Sequence, residues 1–424
     1  MTQYALPDPI DPASTSGSDL ADILSGSAKW RDALESMHKG SSRPTYAQTG
    51  MLWVDDSDLE LWKLKCYDGS NDIEILQFSA VSGNVLTVSQ IDLGKYILAK
   101  IETSLTPPSV GSFNIWRTNV CIYNEANPAI SGVIIYGDNG NSAYTLDGDT
   151  WTSFTSGLVG GSGVTNYGAA YSPPSERIVV VGALSIASKN VRYSDNFGLT
   201  YTEVAAGDAT LRDVCWSKTL ELYVAVGSVG TGGVNSFYSA DGASWTAIAA
   251  GQTGDGVLYK VTCLDKLGRF VAVGILSSGL KNIFYSDNGI TWTSVGLLEL
   301  GTIQGLTKSE YLGRYFISRA TSSTPRLAYS DDGENWETVE DDLIPSGFPL
   351  AYMHYSDIAK HLILANGVNS QLLISSTGKN WEIIASPFSA TQYPRTMCDL
   401  RRTKAVVFAG GTTSSYNVVG YTSR

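Results

Sequence analysis

The chain has 424 residues, 43 glycines, 17% charged side chains and a formal net charge of -12. That acidity argues against nucleic acid and anionic membrane surfaces as partners, and no run of about eighteen apolar residues offers a membrane span. The length exceeds one ordinary compact domain unless it is built from repeats, and the glycine, tyrosine and threonine content points to a mainly β, turn-rich protein.

The acidic excess leans forward, with 15 acidic and 8 basic side chains up to Gly111, and serves solubility. The opening "MTQYALPDPIDPASTSG" has no basic segment followed by an apolar run, so no secretory signal and synthesis in a cytoplasm are expected. Residues 1–17 read as an extended arm. A helix is expected from Ser18, with Ser18 as N-cap, Asp19 and Asp22 in the first turn, and a stop at Lys39–Gly40. Leu20, Ile23, Leu24, Trp30, Leu34 and Met37 give it an apolar stripe, and "SGS" at 25–27 is a break point. Arm and helix together, residues 1–41, suit docking on a partner.

Residues 42–102 read as a small β-rich module. Strands are expected in "GMLWVDD", "LELWKLKCYDG" and "NDIEIL", with a turn at Asp68–Gly69. The pattern carried by Gly50, Leu52, Trp53, Asp55, Trp62, Leu64, Lys65, Tyr67, Asp68 and Gly69 resembles a β-module found near the N-termini of bacteriophage tail fibres and other tail proteins. The resemblance covers roughly forty residues of the chain. It implies that the N-terminal region attaches to a tail and the C-terminal region faces a host. "TSLTPPSVG" at 103–111 reads as a linker.

From residue 112 the chain repeats itself. "YTLDGDTWTSF", "YSDNFGLTYTEV", "YSADGASWTAI", "YSDNGITWTSV", "YSDDGENWETV" and "ISSTGKNWEII" align on Gly148, Gly198, Gly242, Gly289, Gly333 and Gly378, at spacings of 44 to 50 residues. Each copy carries four strand patterns, and a period of forty-odd residues predicts a β-propeller. In the turns, Asp147, Asn196 and Asp241 supply acceptors for backbone N–H groups, and the glycines take positive φ. Trp151, Trp245, Trp292, Trp336 and Trp381 open the fourth strands and cover the turns, while the second copy has one extra residue and Tyr201 in that place. The motif S-x-D-G-x-[ST]-W resembles the Asp-box, or BNR repeat, of sialidase-like propellers, where it is a peripheral structural element. Residues 112–424 divide into seven copies of about 45 residues. The last copy lacks a fourth strand, and "SFNIWRT" (Ser112 to Thr118) is expected to supply it beside "VVGYTS", closing the ring.

Cys121, Cys215, Cys263 and Cys398 fall at a shared phase of the repeat and read as buried thiols rather than a disulfide set. Three histidines, none at ligand spacing with cysteine, offer no metal site, and no cofactor is expected. Three residues before those cysteines stand Arg212, Lys260 and Arg395, with Tyr167 and Thr118 on two other copies. They are expected to ring the mouth of the central channel, either as a subsite for the carboxylate or phosphate of an anionic glycan or as ordinary solvated charge. The sialidase set of an arginine triad, a Tyr–Glu pair and an acid/base Asp is not found, nor is the [FY]-R-I-P motif. Asp213, Asp265 and Asp399 flank the inner strands as turn acceptors or as candidate carboxylates of a glycosidase.

The expectation is a non-enzymatic structural protein of a phage tail, a fibre or fibre adaptor, made in the host cytoplasm and residing in the virion. Its partners would be other tail proteins, through the N-terminal region, and host surface polysaccharide, with no nucleic acid and no membrane insertion. Trimerisation is implied only by analogy with tail fibres. The alternative is a propeller depolymerase acting on capsule or lipopolysaccharide.

Overall fold

The computed structural model describes residues 39–88 except 44, 46–51, 59–60, 68 and 80–84. It also describes 116–422 except 124–130, 139–141, 149, 155–163, 184–188, 276–281, 296–301, 320–325, 340–351, 366–370, 379–380, 386–393, 402–404 and 413–414. The chain forms two compact units, Met1–Asp92 and Leu93–Arg424. The expected arm and linker, and the expected helix up to residue 38, lie outside the described residues, as do Gly50 and Asp68.

The first unit holds one sheet of five strands, in the order Lys39–Gly40, Leu52–Asp55, Leu61–Tyr67, Asp72–Ser79 and Val85–Val88. Lys39–Gly40 is therefore a strand and not a helix stop. It pairs in parallel with Val54 and Asp55, and the Asp56 N–H donates to the Gly40 carbonyl at 3.3 Å, so sheet pairing overrides the local stop signal. Trp53, Val54 and Leu64 are buried. Trp53 donates its Nε1–H to Asp72 at 3.2 Å, and the Tyr67 hydroxyl donates to the Gly69 carbonyl at 2.7 Å. Asp55 meets Lys65 at 2.5 Å. Burial works to raise the Asp55 carboxyl, but the bonds from Lys65 and Ser57 outweigh it and hold it at about 2. Trp62 lies half-buried on the central strand.

The second unit is a mainly β propeller. Six four-stranded antiparallel sheets follow one another along the chain, each paired in sequence order, and a three-stranded sheet of Pro394–Leu400, Ala405–Thr412 and Ser415–Thr422 comes last. The first strands of the sheets are Trp116–Ile122, Thr165–Ser172, Leu211–Ser217, Val257–Leu264, Ile303–Ser309, Tyr352–Ser356 and Pro394–Leu400. Each touches the next, and the last touches the first, so they line a closed ring. The second strands, such as Gly132–Gly137 and Leu222–Gly227, are continuous apolar runs buried on both faces, as strands between two neighbouring sheets must be.

The structure departs from two of the expectations. Trp116, Arg117 and Thr118 belong to the inner strand of the first blade, where Trp116 faces Gly137, and do not complete the last sheet. Among the described residues that sheet has three strands. Second, Cys121 and Cys398 form a disulfide with Cα atoms 6.2 Å apart, 277 residues apart in sequence. Ring closure brings the first and last inner strands together, which spacing along the chain does not reveal. Cys215 and Cys263 are free.

The repeated turns are built alike. Gly242 has φ +72°, its N–H donates to Ser239 Oγ at 2.8 Å, and the Ala243 and Ser244 N–H groups donate to Asp241 Oδ1 at 2.8 and 2.7 Å. Trp245 folds back, its Nε1–H donating to the Gly242 carbonyl at 3.1 Å. Gly289 with Trp292, and Gly333 with Trp336, repeat this with Asn288 and Asp332 as acceptors. Gly148 and Gly198 use Asp147 and Asn196, while the Gly378 N–H donates to Ser375 Oγ. Each tryptophan packs into the seam with the preceding sheet: Trp151, Trp245, Trp292, Trp336 and Trp381 join five different seams.

Candidate functional site at the channel mouth

An irregularity in strand pairing sets the geometry of the site. In six inner strands the register slips by one residue at the same end of the strand. The slips fall between Trp116 and Thr118, Asn166 and Gly168, Leu211 and Asp213, Leu258 and Lys260, Ile303 and Gly305, and Pro394 and Thr396. A bulge of this kind leaves the extra residue out of the ladder and re-aims its side chain. The residues so released are Arg117, Tyr167, Arg212, Tyr259, Gln304 and Arg395. With Tyr352, the first residue of the sixth inner strand, and Lys260, they line a single cavity of about 250 Å³.

Going round the ring, the seven inner strands present Arg, Tyr, Arg, Tyr, Gln, Tyr and Arg. Arg117 is held by Asp138, bonded through both carboxylate oxygens, with the second contact at 2.9 Å. Burial works against its charge, but the Asp138 carboxylate outweighs it and raises the guanidinium above its usual range. Lys260 lies 3.7 Å from Asp213. Burial raises the Asp213 carboxyl, opposed by Lys260 and by the Val261 N–H, which donates to it at 3.1 Å. Arg212 has a different setting. It stacks on Tyr167, 4.5 Å from the ring centroid, and its buried Nε has no hydrogen-bond partner among the described residues. That leaves a guanidinium fork with donors to spare, the group best shaped to take a carboxylate or phosphate.

The structure thus brings together Tyr167, Arg212, Lys260 and Arg395, and adds Arg117, Tyr259, Gln304 and Tyr352. Thr118 is not in this cavity; its neighbour Arg117 is. Counting back from the cysteines lands one residue past the bulge in two strands, at Thr118 and at Lys260, because the cysteines are not in one phase; Lys260 still lines the cavity. Cys215 and Cys398 lie three residues beyond their bulge residues, whereas Cys121 and Cys263 lie four beyond. The usable signal is the short pattern near the start of six of the seven inner strands, "WRT", "NYG", "LRD", "LYK", "IQG" and "PRT", whose middle residue is the one released.

The mouth leads to a channel of about 450 Å³ that shares Lys260, Tyr352 and Arg395 with it. Two of the acids singled out from sequence tie neighbouring sheets together. Asp265 accepts the Lys218 N–H at 2.8 Å and meets Lys308 at 3.3 Å. Asp399 accepts the Asp357 N–H at 2.7 Å and meets His354 at 3.2 Å.

No family model matches the chain, and no curated protein does. Solved structures do. One described as YCF48 bound to D1 peptide matches with a TM-score of 0.53 and 17% identity, covering 74% of this chain and 95% of the other. The Kuenenia stuttgartiensis hydrazine synthase matches with a TM-score of 0.53 and 12% identity over 72% of this chain and 94% of the other. The WD40 β-propeller domain of Doa1 gives 0.51 and 11% over 73% and 94%. These likenesses establish the fold: the chain carries a β-propeller.

Proposed function

We propose that this chain is a structural protein of a bacteriophage tail, a fibre or fibre adaptor. Its N-terminal unit attaches it to the particle, and its propeller binds an acidic surface glycan at the channel mouth. The observation that carries the binding half is the bulge ring, with three arginines, a lysine and three tyrosines around one small cavity. Guanidinium forks suit sugar carboxylates, and tyrosine supplies flat amphipathic faces for pyranose rings. The attachment half rests on the module resemblance carried by Trp53, Asp55, Trp62, Tyr67 and Gly69. On this reading the three-stranded last sheet is a seventh blade, and the repeated turns are Asp-boxes of the sialidase-like kind.

Hydrolysis is the second reading, and Asp213 favours it: burial raises its carboxyl at the edge of the channel, as suits a general acid. One experiment separates the two. Purified protein is incubated with polygalacturonate and, in parallel, with neutral dextran, and both retention and products are analysed. Retention of the acidic polymer alone, weakening with salt and leaving it intact, is the expected result. Fragments abolished by Asp213→Asn make it a depolymerase. Equal retention of both polymers, or of neither, sinks the glycan reading.

A further inference from the structure

A second cysteine pair repeats the setting of Cys121 and Cys398 elsewhere in the ring. Cys398 lies three residues beyond Arg395, and Cys121 four beyond Arg117 in the next strand round. Cys215 lies three beyond Arg212, and Cys263 four beyond Tyr259 in the next strand round. Side chains alternate along a strand, so offsets of three and four point to opposite faces of their sheets. In consecutive sheets those two faces look at each other. The packing agrees: Cys398 and Cys121 share the core between the last and first sheets, and Cys263 and Cys215 share the core between the third and fourth. The bridged pair has a Cα separation of 6.2 Å, inside the span a disulfide allows. The repeat gives the second pair an equivalent place in its own seam, yet there both thiols are free. Cys215 also lines the central channel, which gives a small molecule a route to its sulfur.

We propose that Cys215 and Cys263 are a second interblade disulfide site, closed by exchange with a low-molecular-weight disulfide that enters through the channel. The Cys215 thiolate attacks one sulfur of the small disulfide, forming a mixed disulfide and releasing one small thiol. The Cys263 thiolate then attacks the Cys215 sulfur and releases the second. Two protein thiols are oxidised, one small disulfide is reduced to two thiols, and the two protons leave with them. Burial raises both thiols, that of Cys263 to about 12, so exchange quickens as pH rises. Oxidised, the propeller carries a bridge in the seam between its third and fourth blades as well as in the seam where its chain ends meet.

The test uses the full-length chain with Cys66, the remaining cysteine, changed to Ser. Folded protein is incubated with oxidised glutathione at mildly alkaline pH, alkylated, digested without reduction and analysed by mass spectrometry. The expected result is a linked peptide pair containing Cys215 and Cys263, loss of both alkylatable thiols, and a raised Tm. Neither the linked pair nor the rise in Tm is expected with Cys215→Ser or Cys263→Ser. Persistent glutathione on Cys215, or two thiols still open to alkylation once the protein is unfolded after treatment, would overturn the proposal.

Discussion

Arg212 and Arg117 approach the same ring, that of Tyr167, at 4.5 and 5.8 Å from its centroid. One tyrosine from the second blade thus takes a guanidinium from the blade on either side. It spaces two cations that would otherwise repel each other, and its ring quadrupole favours both. Arg117 is committed to Asp138, whereas the buried Nε of Arg212 has no hydrogen-bond partner among the described residues. Arg212→Ala is expected to weaken binding of an oligogalacturonate by about ten- to a hundredfold, or ~1.4–2.8 kcal/mol. Arg212→Lys recovers only part, because an ammonium cannot present the planar fork. Tyr167→Ala follows Arg212→Ala in direction with a smaller loss. Titration calorimetry checks all three, and unchanged affinity in Arg212→Ala removes the ring from the binding site.

The propeller was legible because its repeat is local. Six turns with a hydroxyl, a glycine and an aromatic residue, five of them with an Asp or Asn acceptor and the last with Thr377 in its place, recur at a period one sheet long, and each signal sits within about ten residues. What escaped depends on pairing between strands. A bulge is a mismatch between two strands and leaves at most a three-residue pattern on one of them, too short to place Arg117, Tyr259 and Gln304 without the pairing; Tyr352 opens the inner strand that has no register slip and lacks even that pattern. The Cys121–Cys398 bridge escaped for a related reason, since it depends on which strands ring closure makes neighbours. Lys39–Gly40 failed differently: a lysine–glycine pair is a good helix stop in isolation, and pairing with Val54 and Asp55 decided otherwise.

A clamp at the rim was also invisible in sequence. Arg269 bonds both oxygens of Asp287, at 2.6 and 3.1 Å, stacks on Tyr285 at 4.6 Å, and donates to the Asp332 carbonyl of the next blade at 2.8 Å. Arg177 and Arg314 do the same in their own blades, with Asp195 and Asp331. Arg269→Ala removes a bidentate pair and an interblade bond together, and is expected to cost about 1–2 kcal/mol, discounted for the exposure of Asp287. Arg269→Lys recovers less than half, since one ammonium cannot span both contacts. Urea unfolding of the three proteins measures it.

Gly242 and Gly251 separate two costs of adding a methyl group. Both have positive φ, +72° and +84°. A Cβ on Gly242 would lie 2.7 Å from Val179 Cγ2 in the seam with the preceding blade, whereas one on Gly251 would meet nothing within 4 Å. Gly251→Ala is therefore expected to cost the backbone strain alone, about 1 kcal/mol. Gly242→Ala adds a clash inside a packed seam, for a total of about 2–4 kcal/mol. Equal losses in chemical denaturation would mean that the seam yields freely around the turn.

Acid should loosen both units in one pH window. Burial works to raise Asp241 and Asp332, but the backbone N–H groups of their turns outweigh it and hold both carboxyls at about 2. Asp55 sits at the same value in the N-terminal sheet. A carboxyl with a depressed folded pKa binds its proton more readily in the unfolded chain. Its stabilising effect is full above the unfolded value of about 3.9 and is lost as pH falls toward the folded value. Stability is thus expected to hold steady from neutral pH down to about 5 and to fall between about 4 and 2. Asp332→Asn keeps an acceptor in the turn, as Asn288 does in the blade before it, and so flattens that slope without removing the fold. Thermal melts of both proteins across this range decide the matter: parallel slopes would mean that the turn carboxylates are not what titrates.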